Sequence, residues 1–195
     1  MKKIAIIGAG ISGLYIANLL EKENDFKYKI FEKRSKLDLV EGYGIQLSVN
    51  CIKLLNKIGF KNISASDIFF PTKVNFFKSN NPNKICDIDL TQFNDDLNRY
   101  TTLKRSTLLK FLLENIPKDN IKFNTVLKHL DYSNTIKARF SDESEEHFDY
   151  IIIADGVFSQ SKSIISKETL KPKYNNSIAL RGKLNKYDDN NISIF

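Results

Sequence analysis

The residues best suited to chemistry stand at the start of the chain. Gly8-Ala9-Gly10-Ile11-Ser12-Gly13 lies between a β-branched apolar run, Lys3 to Ile7, and a stretch in which Leu14, Ile16, Ala17, Leu19 and Leu20 recur at helical spacing. In a Gly-x-Gly-x-x-Gly turn the three glycines have separate tasks. Gly8 permits the tight strand-to-helix turn, Gly10 lets the backbone approach a pyrophosphate, and Gly13 lets the helix pack closely on the strand. The helix that follows, with Ile11 and Ser12 at its start, points its N-terminal amides and positive dipole end at the phosphates. A second strand, Tyr28 to Phe31, runs into Glu32, which is placed where a carboxylate can hydrogen-bond ribose hydroxyls. Strand, turn, helix, strand and acid agree, so the spacing predicts a dinucleotide site. The turn alone leaves NAD and FAD both open. Glu32 would repel a 2′-phosphate and so argues against NADP, while Arg34 nearby pulls the other way.

The elements that must position these residues follow from periodicity. Ser12 to Glu23 reads as a helix, and Ser35 to Gln46, with two glycines and mixed charges, as a loop. Val49 to Ile58 is expected to be a helix capped by Ser48 and stopped by Gly59. Lys73–Lys78 and Lys84–Leu90 read as strands joined by the polar turn 79–83, and Ser106–Asn115 as a helix ended by Pro117. Short strands are expected at 121–124, 126–132, 135–140 and 147–149, a β-meander. Tyr150 to Ala154 is a strongly apolar run into Asp155-Gly156, as in a buried parallel strand, and a short helix follows at 160–166. Strands are expected again at 177–184 and 192–195. The fold class is α/β: a Rossmann-like domain with a parallel sheet and a β-meander crossover, plus part of an antiparallel sheet. The expected division puts 1–70 and 101–168 in the Rossmann-like domain and 71–100 and 169–195 in the second.

Composition narrows the function classes. With 42% apolar and 27% charged residues, the chain reads as an ordinary globular protein rather than a disordered or fibrous one. No apolar run approaches the ~20 residues of a membrane helix, and the opening run is a strand rather than a signal peptide, so a cytoplasmic location is expected. The net charge of +7 comes from lysines scattered along the whole chain. Without a basic block or aromatic-basic interleaving, no nucleic-acid partner is expected. Cys51 and Cys86 have no paired spacing near a histidine, so neither a disulfide framework nor a metal site is expected. His129 and His147 fall in the meander and are read as structural or surface residues.

Four stretches together resemble the flavin-dependent monooxygenases of the aromatic-hydroxylase, para-hydroxybenzoate hydroxylase-like, type. They are GAGISG with Glu32-Lys33-Arg34; GYGIQLSVNCIKLLNKIG from Gly42; Lys104-Arg105-Ser106-Thr107-Leu108, similar to an arginine-x-x-leucine that opens a helix; and DYIIIADGVFSQSK, similar to an aspartate–glycine fingerprint. Ala179-Leu180-Arg181-Gly182 also resembles the family's strand entering the substrate domain. The resemblance implies FAD as cofactor, NAD(P)H as reductant, and hydroxylation of a small aromatic or quinone-like substrate. It places Arg34 and Arg105 near ribose and diphosphate, Lys33 among the cofactor-binding residues, Val126 by its backbone at the adenine, and Asp155 at a ribityl or ribose hydroxyl, with Gly156 letting the backbone come close. No catalytic side chain is implied, because the oxygen chemistry belongs to the flavin. Lys162 stands where the family has an arginine, and the glycine–aspartate motif of the family's second half has no counterpart here. The N-terminal half of such an enzyme is therefore expected, with a partner chain as one source of the remainder. Two other readings are a truncated, non-catalytic dinucleotide-binding module and another flavoenzyme of the fold, a halogenase or reductase.

Overall fold

The computed structural model describes residues 1–39, 43–78, 81–132, 135–168 and 171–178. In chain order the elements are β1 (Lys2–Ile7), α1 (Ile11–Leu20), β2 (Phe26–Phe31), β3 (Gly44–Leu47), α2 (Val49–Asn56), β4 (Ile68–Phe69), β5 (Lys73–Lys78), β6 (Asn81–Asp89), β7 (Thr101–Lys104), α3 (Arg105–Leu113), β8 (Ile121–Lys122), β9 (Leu127–Asp131), β10 (Ile136–Phe140), β11 (Glu145–Phe148), β12 (Tyr150–Ile153) and α4 (Ser161–Ser166). The chain divides into two compact units, 1–40 with 108–177 and 41–107 with 178–195. Residues 41–70 and 101–107, expected from the sequence with the first unit, cluster with the second. The reason is a small antiparallel sheet that binds them to one another, in the order β3-β7-β4.

The first unit is the expected α/β architecture. Its sheet runs β12-β1-β2-β8 with every neighbouring pair parallel, Ile4 to Ile7 lying against Tyr150 to Ile153 on one side and Tyr28 to Phe31 on the other. The apolar β1 is buried from Ile4 onward because it is covered on both faces. On one face the antiparallel meander β9-β10-β11 packs through Leu127, Leu130, Ala138, Phe140 and Phe148 onto Ala5, Ile7 and Phe31. Phe31 stacks on Phe140 with centroids 4.0 Å apart and meets Phe148 edge-on at 5.9 Å. Each such ring contributes on the order of 1.5–3 kcal/mol by leaving water. α1 buries Gly13, Leu14, Ala17 and Asn18. The Asn18 amide donates to the carbonyls of Leu14 (2.9 Å) and Leu112 (2.6 Å), so a buried polar group fastens α1 to the end of α3. After α1, the Tyr28 hydroxyl donates to Glu21; burial, with Glu21 next, pushes this phenol well above its usual range.

The second unit holds the β3-β7-β4 sheet, α2, and the hairpin β5-β6. Gly44 to Leu47, of which residues 44–46 read from the sequence as loop, is a strand paired with Thr101 to Lys104. α2 presents Ile52 and Leu55 to the interior and stops before Gly59, which takes a left-handed φ of 96°. Ser48 occupies the expected N-cap position but makes no cap bond. Its hydroxyl donates instead to the Asn50 side chain. The helices expected at 12–23 and 106–115 are each shorter at the C-terminal end, and the strands expected in residues 179–195 lie outside the described residues. Among the described residues no helix is long and apolar enough to cross a membrane.

Candidate dinucleotide site

The three glycines of the turn face different surroundings. Gly8 has φ +105°, and a Cβ there would sit 2.6 Å from the carbonyl oxygen of Ala154, at the end of β12. A Cβ at Gly13 would sit 2.0 Å from the Gly8 carbonyl oxygen. Both positions exclude a side chain because the backbone passes too close. Gly10 differs: its φ of −78° and ψ of −176° suit any residue, and a Cβ would meet nothing within 4 Å. The fold therefore does not require glycine at position 10. The open space beside it is a cradle that a side chain would fill, at the N-cap of α1, whose first amides have no intrahelical acceptor. Ile11 and the exposed Ser12 open the helix, which has no acidic residue in its first turn to compete for an incoming anion.

Glu32 follows β2 directly, beside this turn, and is only 7% exposed. Its carboxylate is engaged by the backbone on both sides, accepting from the Ala9 N–H at 2.8 Å and from the Arg34 N–H at 3.0 Å. The main chain of Glu32 is fixed as well, with its N–H donating to the Lys122 carbonyl and its carbonyl accepting from the Thr125 N–H. The carboxylate is thus a tether that holds the middle of the glycine turn. Each of its oxygens keeps a further lone pair for a second donor.

Asp155 follows β12, and its Cα lies 2.9 Å from the position of a Cβ on Gly8. The Ser161 N–H, at the start of α4, donates to Oδ2 at 3.2 Å. Oδ1 is buried with no partner in the described structure. An unsatisfied buried acceptor costs free energy until a donor reaches it, and a hydroxyl of a bound ligand is such a donor. Gly156 has φ +83° and open space at its Cβ position, so the chain turns away from Asp155 without blocking it. The Ser159 hydroxyl accepts from the Lys162 N–H at 3.1 Å, closing the first turn of α4.

The first unit thus gathers Gly8, Gly10, Gly13, Glu32, Asp155 and Gly156 at the carboxyl ends of three adjacent parallel strands, β12, β1 and β2, where open α/β sheets hold ligands. Lys33 and Arg34 follow Glu32 directly and are exposed. Val126 follows Thr125 next to Glu32. Its N–H donates to the Ser141 hydroxyl at 3.1 Å and its carbonyl accepts from the Ser141 N–H at 2.9 Å, so its backbone is already paired. Arg105 belongs to the second unit, at the start of α3, where its N–H donates to the Tyr43 carbonyl at 3.0 Å. Arg181 lies outside the described residues. Sequence reasoning missed Ala9 and Ser161, which act through backbone N–H groups that no side-chain pattern announces. Among the described residues no group of three or more His, Cys, Asp or Glu is placed to hold a metal ion.

Residues 6–37 match the family model of an NAD(P)-binding Rossmann-like domain. Monooxygenase asqM of Emericella nidulans is 29% identical over 181 residues, which cover 84% of this chain and 40% of that protein. Other relatives in the same range of identity bear the name FAD-dependent monooxygenase. The structure of 2,6-dihydroxypyridine-3-hydroxylase from Arthrobacter nicotinovorans superposes with a TM-score of 0.72 at 18% identity, covering 89% of this chain and 41% of that one. Klebsiella pneumoniae HpxO, solved with FAD and uric acid, gives 0.70 at 21%, covering 83% and 41%. The chain is similar in sequence to the curated monooxygenases, shares the fold of the solved structures, and spans about 40% of the length of the curated relatives it matches.

Proposed function

We propose that this chain forms the ADP-binding part of a FAD-dependent monooxygenase acting on a small aromatic or quinone-like substrate, with NAD(P)H as reductant. The observation that carries the reading is the cradle at Gly10, flanked by the buried Glu32 carboxylate and the unpartnered Oδ1 of Asp155. In this reading the diphosphate rests on the first amides of α1, where the helix dipole favours negative charge. Glu32 accepts from ribose hydroxyls with its remaining lone pairs, and Asp155 Oδ1 takes a hydroxyl of the ribose or ribityl chain. Lys33, Arg34 and Arg105 offset phosphate charge; an arginine suits this because its planar fork matches a phosphate. FAD, when bound, would supply the reaction of reduced flavin with dioxygen that hydroxylates the substrate.

Residues 71–100 and 169–195 belong, in this reading, to a substrate domain. The relatives are more than twice as long, so the groups completing the flavin-ring and substrate surfaces come from outside these 195 residues, from further chain or from a partner chain. A cytoplasmic location fits a nicotinamide-reduced enzyme of this kind. The test is a titration of the purified chain with FAD, followed by flavin fluorescence and by the visible spectrum. Saturable binding that ADP displaces supports the assignment, since the contacts named here all fall on the ADP end and the adjoining chain. A colourless protein that leaves added FAD unchanged overturns it.

A further inference from the structure

Three lysines stand on one face of the parallel sheet, toward the amino ends of its strands. Side chains alternate along a strand, so Lys27 and Lys29 share the face of Phe31, which stacks on the meander. Lys3 likewise shares the face of Ala5 and Ile7, which pack against the same meander. In the parallel register Lys3 lies opposite Lys27. Neighbouring strands run about 4.8 Å apart, so two like charges are set side by side and repel. Both lysines are exposed, and both belong to the wall of a cleft of about 360 Å³ between this face and β11, wholly within the first unit. A strand rises about 3.3 Å per residue, so Lys3 stands about 17 Å from Gly8, beyond the opposite end of β1.

The acids around the cleft are already engaged. Glu146 pairs with Lys29 at 2.8 Å, and Glu145 pairs with Lys137 of β10 at 2.6 Å. Asp149, just after β11, pairs with Lys2 at 3.2 Å and accepts from the Lys3 backbone N–H at 2.7 Å. The ammonium groups of Lys3 and Lys27 form no ion pair or hydrogen bond among the described residues. His147, on the same wall, shares a hydrogen bond between its Nδ1 and the Thr135 hydroxyl at 2.9 Å, which leaves Nε2 open. The cleft thus offers two unpaired cations side by side, while each of its carboxylates is matched by another lysine. An anion that touches both cations removes their repulsion.

We propose that this cleft binds a small phosphate monoester, its phosphate bridging Lys3 and Lys27. A compact dianion suits two lysines, which act as point charges, whereas a planar carboxylate is better matched by the fork of an arginine. The body of the ligand lies along the cleft beside His147, and the volume limits it to the size of a small metabolite. Glu145 and Glu146 on the facing wall disfavour a body that carries further negative charge.

The probe is glycerol 3-phosphate, titrated at constant ionic strength and followed by its phosphorus NMR shift, with thermal melts in parallel. Wild type, Lys27→Glu and Gly10→Ala are compared. Reversing the charge at position 27 turns its repulsion from Lys3 into attraction, so Lys27→Glu is expected to melt no lower than the wild type without ligand. A loss of binding in this variant is then not a loss of fold. Saturable binding is expected for the wild type and for Gly10→Ala, weakened more than about tenfold by Lys27→Glu. Two results overturn the proposal: no saturable binding at millimolar probe, or equal affinity for the wild type and Lys27→Glu. Binding that Gly10→Ala alone abolishes puts the phosphate at the glycine turn and also overturns it. Phosphatidylcholine vesicles containing phosphatidic acid test a lipid source of the same phosphate. Sedimentation with them that needs Lys27, from a protein that ignores the free probe, assigns a membrane ligand and overturns the small-molecule reading. Failure here leaves the FAD titration untouched, since the two sites share no residue.

Discussion

Replacing Gly10 by alanine separates binding from folding, because this glycine alone in the turn has room. As the N-cap of α1, an alanine loses part of the cap preference, a cost of about 0.5–1 kcal/mol. The unfolded chain becomes stiffer at the same time, which returns about 0.4–1 kcal/mol at a position whose φ of −78° alanine adopts freely. The net change in stability is therefore close to zero. The new methyl projects into the space that a pyrophosphate would occupy, where a Cβ meets no protein atom within 4 Å. Inserting a methyl into a filled site costs about 1–3 kcal/mol, so FAD affinity should fall about 5- to 150-fold. Gly13→Ala gives the opposite pattern. Its Cβ would lie 2.0 Å from a backbone oxygen, so α1 must move off β1, and stability should drop by more than about 3 kcal/mol whether or not ligand is present. Flavin fluorescence titration and urea denaturation of both variants read the two effects. If Gly10→Ala binds FAD as tightly as the wild type, the ligand backbone does not pass this glycine and the site assignment fails.

Glu32→Gln keeps one carbonyl acceptor but turns an NH₂ toward a backbone N–H, so urea denaturation should show a loss of about 1.5–3 kcal/mol even without ligand. Phe140→Ala empties the centre of the sheet–meander core, where Phe140 is fully buried against Phe31, and should cost about 3–5 kcal/mol in the same assay. Acid should weaken the first unit. Lys122 and then Ser144 hold the Asp142 carboxyl far below the usual carboxylate range, and the Lys3 N–H and then Lys2 lower Asp149. A carboxyl with a depressed folded pKa stabilises fully above its unfolded value near ~4, and that contribution is lost as pH falls through the folded pKa. Thermal melts should therefore hold level from neutral pH to about pH 5 and decline below about pH 4, with Asp142→Asn declining less steeply.

The parallel sheet was legible because β1, β2 and β12 carry their own signals: apolar or alternating runs ending at glycine, at a carboxylate and at Asp-Gly. The meander was legible from alternation and polar turns. What escaped is what depends on distant pairing. Gly44-Ile45-Gln46-Leu47 has no strand pattern and becomes a strand only because Thr101 to Lys104 lies beside it. That pairing also moved residues 41–70 to the second unit. Ser48 has the right type for a cap, yet Asn50 two residues on competes for its hydroxyl. In the candidate site, Glu32 and Asp155 are side chains that the sequence itself points to, whereas the N–H groups of Ala9 and Ser161 that orient them belong to residues of no distinctive chemistry. The Asp95 network reads in sequence as an ordinary polar loop; only its geometry shows how closely Asp95 and Asn98 tie that loop together.

Strand order explains why residues so far apart in sequence make one site. β12 arrives after the meander and takes the edge beside β1, so Asp155 reaches the turn that Gly8 begins. The contact constrains both: Gly8 must be glycine because the Ala154 carbonyl is there, and Asp155 is fixed because the turn is. Glu32 completes the arrangement from the other side of β1 by pulling on the Ala9 N–H. The acceptors that would meet the ribose are therefore set by the protein's own backbone before any ligand arrives. Ordering them again on binding costs little, and the N–H groups of α1 already face the cradle. On the proposed reading such a site discriminates by geometry first: a ligand would bring hydroxyls to Glu32 and Asp155 and an anion to Gly10 at one fixed separation, which a dinucleotide can do and a simple phosphate cannot.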